Sequence, residues 1–463
     1  MGSALRHSIA LLLVFCLAAP SAAQADFTLN DEIELGNKFN VLIRSQMPLI
    51  QDPEVVAYMN SIMERFTGAM PSQPVPFQLN VIRDNTLNAF AVPGGYIFIH
   101  SGLILAMPGE AELCGVIAHE MAHVTQRHIA SRMEKAKYSS ILALAGLLAG
   151  VLAGGEAGMG LAMGGMAASQ SAMLSYSRSD ESEADQVGMN YFIAAGYPPE
   201  AMVESFRIIQ RPQWVTGAEI PAYLSTHPAV TERVGDLSSR VRNIKVPRAN
   251  LGPVDNSQFL RVQTLIRGRY ANPEAAEKFF NNQLIGPDKA LAWLGLGILN
   301  ERRNRIADAT KAFDEAIRLN PNDQIFLRET GRFNYLKGDK SKAVRFLQQA
   351  TAQNHGDYLA LFYYARLLED SGQNEQALAY YAQVLRLQPE DPEAHDYYAR
   401  SLGKEKRLFE AYLHLSYSAL YSNNPRRTEQ SYQKVKELAK TDAETRELAG
   451  FERKYTERKA FWK

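Results

Sequence analysis

Hydrophobic and polar positions repeat along this chain with two different periods, and the change from one to the other divides it. Asp52-Pro53-Glu54 opens a helical pattern that runs to near Phe66, the aspartate capping and the proline taking the first turn. Phe77 to Ile82 then alternates as a strand does. Ala89 to Val92 and Tyr96 to Ile99 read as a further strand pair around the turn Pro93-Gly94-Gly95. A helix is predicted from near Glu110, and its run Leu113-Cys114-Gly115-Val116-Ile117-Ala118 is apolar, so it is buried. The first half is therefore α+β, mostly helical, with a small sheet directly ahead of one buried helix.

The second half keeps a longer clock. Alanines recur at 309, 343, 377 and 411, small residues at Gly297, Gly331, Ala365 and Ala399, and large apolar residues at Phe313, Leu347, Tyr381 and Leu415, each set with a period of 34 residues. Pro321 and Pro389 stand two periods apart. That is the tetratricopeptide pattern, in which small residues let paired helices approach and large ones fill the gap, giving an all-α solenoid with a concave surface that binds other chains. Ala275, Phe279 and Pro287 mark a degenerate earlier copy. The expected organisation is a signal peptide at 1–25, the α+β domain at 26–245, a linker at 246–255, one degenerate and four clear repeats at 256–425, and C-terminal capping helices at 426–463. Tyr358, Phe362, Tyr363, Tyr364, Tyr397 and Tyr398 are candidates for the concave lining.

Two apolar stretches fit neither period. Ile9 to Ala19 follows a short polar start with Arg6 and His7 and precedes Ala23-Gln24-Ala25, the order of a cleavable secretory signal, so the mature chain is expected to begin near Asp26. Residues 141–168 carry Glu156 as their one charge, but eight glycines weaken any helix there by about 1 kcal/mol apiece relative to alanine. Each half is short of the roughly twenty residues that span a bilayer, so a lid beside the site or a surface that touches lipid is the expectation. Cleavage at the signal would remove Cys16 and leave only Cys114, which rules out an intrachain disulfide in the mature chain. The 50 basic and 50 acidic residues balance, giving no reason to expect nucleic acid as a partner.

The chemistry lies in His119-Glu120-Met121-Ala122-His123 and, 58 residues beyond it, Glu181-Ser182-Glu183-Ala184-Asp185. Two histidines one helical turn apart face the same way and can share a metal, with Glu120 beside them to act on a water. A catalytic zinc needs a third protein ligand. The position six residues past His123 is Ile129, so Glu181 is the better choice, with Asp185 one turn on to orient a ligand histidine. His128, five residues beyond His123, is expected to face away from the metal into solvent.

With these residues in view, the chain resembles the zinc metallopeptidases that include the CAAX prenyl protease, the HtpX-type membrane peptidases and the Oma-type proteases. The segments that carry the likeness are Asn88 to Gly95, the His119–His123 helix, Ser177-Arg178 leading to Glu181 and Asp185, and Thr226-His227-Pro228 with Arg233. A secretory signal, a peptidase and a repeat tail together resemble the family's periplasmic branch. The resemblance implies a gluzincin-type domain with one Zn2+ per chain on His119, His123 and Glu181, Glu120 as the catalytic base, Asp185 supporting the ligands, and His227 as an inhibitory fourth ligand. It further implies a periplasmic endopeptidase that acts on unfolded or misassembled outer-membrane proteins, with the assembly machinery as a partner of the repeats and peripheral membrane contact through 141–168. Extended substrate is expected to pair with an edge strand at Tyr96, Ile97, Phe98 and Ile99, and His227, Tyr176 and Arg178 are the candidates for stabilising the oxyanion. The competing reading is a chaperone or adaptor with a vestigial metal site, against which stands Glu120, a base that a structural site does not need.

Overall fold

A computed structural model describes residues 28–131, 176–211, 222–244 and 255–459. The secretory segment, the apolar stretch 141–168 and most of the expected linker lie outside the described residues. The first part holds helices α1 (Leu29–Gln46) and α2 (Pro53–Ala69), strands β1 (Gln78–Ile82), β2 (Ala89–Val92) and β3 (Tyr96–His100), and helices α3 (Ser101–Ala106), α4 (Glu110–Thr125), α5 (Arg178–Ala194), α6 (Pro199–Ile209), α7 (Ala222–Thr226) and α8 (Val230–Asn243). Asp52 caps α2 by accepting from the Glu54 amide at 3.0 Å.

The sheet has the order β1-β3-β2, with β3 parallel to β1 and antiparallel to β2. Gly94 and Gly95 turn the chain between β2 and β3 at φ +77° and +86°, a region that side chains resist. Period-two alternation divides β3 between two layers: Tyr96 and Phe98 pack with Phe39, Leu42 and Ile43 of α1, whereas Ile97 and Ile99 join the larger core under α2 and α4. Both faces are buried, so the sheet is an internal layer.

This order corrects the expectation for Tyr96, Ile97, Phe98 and Ile99. They form the central strand, paired on both sides, and have no free edge to offer a substrate. The sheet's edges are β1, bridged at Ile82 to Leu49, and β2, whose outer side pairs with no strand among the described residues although Ala89 to Val92 are buried. Because the His100 amide donates to the Asn88 carbonyl at 3.0 Å, the backbone of 88, 90 and 92 faces β3 and that of Leu87, Ala89 and Ala91 faces away.

The second part is helical: α9 (Ser257–Tyr270), α10 (Pro273–Gln283), α11 (Lys289–Arg302), α12 (Ile306–Leu319), α13 (Gln324–Leu336), α14 (Lys340–Gln353), α15 (Tyr358–Glu369), α16 (Asn374–Leu387), α17 (Pro392–Lys404), α18 (Leu408–Tyr421), α19 (Pro425–Leu438) and α20 (Asp442–Lys459). The clock has a direct physical cause. A Cβ on Gly297 would meet the Phe313 ring at 2.9 Å, and one on Gly331 would meet the Leu347 side chain at 2.8 Å, so the small residue of each pair is the seat of its large partner. The turns inside successive repeats keep the same time, with left-handed backbone at Asn304, Gly338, Gly372 and Lys406. Of the aromatic candidates, Tyr358 and Phe362 are buried in the repeat core, while Tyr363, Tyr364, Tyr397 and Tyr398 are half-buried around it.

The two parts are joined by buried charge. Arg328 of α13, wholly buried, places its guanidinium 3.1 Å from Asp52 at the head of α2, 3.1 Å from Asp357 and 2.8 Å from Glu329. Arg269 of α9 also reaches Asp52, at 3.1 Å, and pairs with Glu329. The Asn256 side chain, just ahead of α9, accepts from the Glu110 amide at 2.9 Å and so caps the N-terminus of α4.

Candidate metal centre

Helix α4 is held at its start by Glu110, whose carboxylate accepts from Tyr58 at 2.9 Å, Tyr197 at 2.8 Å and Arg65 at 2.8 Å. Its C-terminal half faces α5 so closely that a Cβ on Gly188 would lie 2.9 Å from the Ala118 carbonyl. That approach brings Glu181 and Asp185 against the two histidines of α4. Ser177 caps α5 in a capping box with Asp180, which leaves Glu181 on the inward face of the first turn.

His119, His123, Glu181 and His227 converge, each offering one ligand atom, with all four atoms within 4.8 Å of one another and all four residues buried. The Nε2 atoms of His119 and His123 are 3.0 Å apart. Glu181 Oε1 is 3.3 Å from His123 Nε2 and 3.0 Å from His227 Nδ1. Glu120 stands beside this group, its Oε1 3.4 Å from His227 Nε2. Both oxygens of Glu120 and Nε2 of His227 are buried without a hydrogen-bond partner, whereas Oε2 of Glu181 is ion-paired with Arg233. Four buried donor atoms brought this close, beside a Glu120 carboxylate that no hydrogen bond satisfies, fit a metal ion, and a set of imidazole nitrogens and a carboxylate suits a borderline cation such as zinc.

The two acidic residues of the site are pushed apart. Burial raises Glu120 above the ordinary carboxylate range, a shift that His227 and His119 only partly offset. Burial pushes Glu181 the same way, but His227, His119 and His123 together hold it well below that range. Glu120 is thereby the better proton acceptor and Glu181 the better ligand anion.

Asp185 sits where its expected role requires, 3.0 Å from His119 Nδ1 on the side away from the cluster. Arg233 of α8 grips it with Nε at 2.8 Å and Nη2 at 2.7 Å, and also abuts Glu181. Arg233 was legible as part of the pattern, yet its task of pinning Asp185 was not. His227 is packed between rings, stacked on Tyr223 at 4.2 Å and tilted against Tyr176 at 5.1 Å. Tyr176 also lies flat on His123 at 3.7 Å. Tyr223, a site residue that sequence reading missed, ties α7 to the head of the outer strand edge by donating its amide to the Leu87 carbonyl at 3.2 Å.

Two expectations fail here. Arg178 lies outside the cluster, largely exposed and paired with Glu232 at 3.0 Å, so it is withdrawn as an oxyanion group. His128 is not solvated: it is 6% exposed, and its Nδ1 is 2.9 Å from His123 Nδ1. The helix ends at Thr125, and the chain doubles back before His128.

Two facing helices bring this donor set together, and residues 50–241 match Peptidase family M48. Residues 273–323, 294–358 and 335–400 match tetratricopeptide repeats, so a region that matches the M48 family is followed by one that matches the repeats. The chain is homologous to the beta-barrel assembly-enhancing protease of Escherichia coli (strain K12), at 32% identity over 49% of this chain and 47% of that one. The protein of the same name from Yersinia pestis is 30% identical over 55% of this chain and 52% of its own length. The mitochondrial metalloendopeptidase OMA1 of Schizosaccharomyces pombe is 30% identical over 41% of this chain and 54% of its own. The chain thus spans about half the length of the curated relatives it matches. No helix among the described residues is long and apolar enough to cross a membrane.

Proposed function

We propose that this chain is a zinc-dependent endopeptidase of the periplasm that hydrolyses peptide bonds in misfolded or stalled outer-membrane proteins and assists their assembly, with the repeat domain as its client- or partner-binding surface. The observation that carries this reading is the convergence of His119, His123 and Glu181 beside a buried carboxylate, Glu120, that no hydrogen bond satisfies. His119, His123 and Glu181 would hold the zinc, one per chain. When bound, zinc supplies a Lewis acid that polarises a peptide carbonyl and acidifies water. Glu120, kept proton-hungry by burial, takes the proton of the attacking water and returns it to the leaving amine. Asp185, fixed by Arg233, accepts a hydrogen bond from His119 Nδ1 and so turns the opposite nitrogen into the cluster.

The outer edge of β2, unpaired but buried at Ala89 and Ala91, is where the backbone of an extended client would pair once that edge is uncovered. His227 stands between Glu181 and Glu120, in the space a scissile carbonyl must enter, and acts as a latch that must swing out. Pro228 and the left-handed Ala229 beyond it mark where that movement is hinged.

Cleavage of an unfolded outer-membrane protein by wild type, Glu120→Gln and His227→Ala, with zinc content measured on each, tests the reading. Slow cleavage by wild type, faster cleavage by His227→Ala and none by Glu120→Gln with zinc retained are expected. Three proteins equally inactive with zinc bound would favour the adaptor reading instead.

A further inference from the structure

We infer that His128 and Glu183 form a relay that positions His123 for the metal, so that each ligand histidine of α4 is braced by a carboxylate of α5, one directly and one through a second imidazole. This rests on the metal-site reading above and extends it to two residues that the reading leaves idle. The chain is led there by its backbone: α4 stops at Thr125, Arg127 takes a left-handed φ of +53°, and helical structure resumes at His128. Arg127 is anchored to the buried Glu32 of α1 at 2.7 Å, which holds the reversal in place. The turn swings the His128 ring back onto its own helix, edge-on to His123 with centroids 5.0 Å apart.

The nitrogen positions then fix who donates. His123 Nε2 faces the cluster, 3.0 Å from His119 Nε2 and 3.3 Å from Glu181, so as a ligand it must present a lone pair there. Its proton is therefore on Nδ1, which donates to His128 Nδ1 at 2.9 Å. His128 in turn carries its proton on Nε2 and donates to Glu183 at 3.2 Å. Donors and acceptors alternate without a conflict along His123, His128 and Glu183. On the other ligand, His119 Nδ1 donates directly to Asp185 at 3.0 Å. Glu181, Glu183 and Asp185 thus divide three tasks along one helix: ligand, brace for His123 through His128, and brace for His119.

His128 is a positioning residue, so its signature is metal affinity rather than chemistry. Zinc affinity would be measured on the full chain by competition with a chromogenic chelator for wild type, His128→Ala, His128→Gln, Glu183→Ala and the control His123→Ala, together with the melting temperature of each metal-stripped protein. Loss of such a hydrogen-bonding partner weakens metal binding by about 10- to 100-fold. That loss is expected for His128→Ala, a smaller one for Glu183→Ala, and recovery in His128→Gln, whose amide oxygen can accept the same Nδ1 proton. Wild-type affinity in His128→Ala overturns the relay, as does a loss that glutamine does not recover and that tracks the melting temperature. Wild type that binds no zinc overturns the metal reading and the relay with it.

Discussion

The metal centre and the junction between the two parts each bury a cluster of ionised side chains, and they are finished differently. At the junction Arg269, Arg328 and Arg332 meet Asp52, Glu301, Glu329 and Asp357, and none of these groups has a buried polar atom without a partner. At the centre both oxygens of Glu120 and Nε2 of His227 are buried without a hydrogen bond. Satisfied charge fixes geometry; unsatisfied charge is kept only where something else will bind or react. The contrast separates structural from chemical charge without reference to any relative.

The largest effect should come from erasing the unsatisfied carboxylate. Glu120→Gln keeps the shape of the site and removes the base, so turnover should fall by about 10²- to 10⁴-fold while metal content is unchanged. Because the substitution also removes a buried charge that no hydrogen bond satisfies and that His227 only partly offsets, the melting temperature of the metal-stripped protein should stay level or rise. A clear drop in that temperature would mean that Glu120 is part of the scaffold and that the contrast is false.

The junction should respond in the opposite sense. Arg328→Ala leaves Asp357 without its buried cation and Asp52 with Arg269 alone, and breaking a buried pair from one side costs about 3–5 kcal/mol. Urea unfolding should show the loss, and the peptidase and repeat parts should melt as separate transitions once α13 no longer holds the head of α2. A single unshifted transition would show that the junction's charges hold nothing together.

How much of this was legible follows from the range of each signal. His119 and His123 are one turn apart, and the repeat seats recur every 34 residues, so spacing alone exposes both. Strand order is different in kind. Alternation in Tyr96 to His100 marks a strand, but only the parallel partner β1 on its far side makes it central, and no local pattern records that pairing. His128 was misjudged by running a helix through Arg127, where the backbone turns left-handed. The Arg328 to Asp52 pair joins residues 276 apart, across which two ordinary surface-type residues give no hint of burial.

A third cluster sharpens the comparison because it is buried, satisfied and neutral. His395 of α17 and His414 of α18 approach through their Nδ1 atoms at 2.8 Å, and His395 Nε2 meets the Pro389 carbonyl at 3.0 Å. Burial lowers His395 to about 4; burial, with His395 and Arg407 nearby, lowers His414 to about 3. Below the unfolded value near 6.5 the unfolded chain takes up protons that the folded repeats refuse, so their stability is complete above that pH and is lost as pH falls towards 4 and then 3. Between pH 7 and 5.5 the pair should remove about 2 kcal/mol. Urea midpoints at the two pH values check this, and a His395→Phe/His414→Leu protein should lose most of the dependence.

The smallest effect belongs to charge that is neither buried nor aimed. Arg178 precedes Glu181 by three residues and lies on the first turn of the same helix, yet its side chain is 75% exposed and its partner Glu232 is 65% exposed. Water screens both, and such pairs contribute at most about 1 kcal/mol. Arg178→Ala should therefore leave the melting temperature nearly unchanged, and cleavage by the His227→Ala enzyme should proceed at a similar rate with or without it. A fall of tenfold or more in kcat would place the guanidinium in the reaction after all, brought in by closure on substrate. The difference between Arg178 and Arg233 would then lie in when each arginine is buried, not in whether it is.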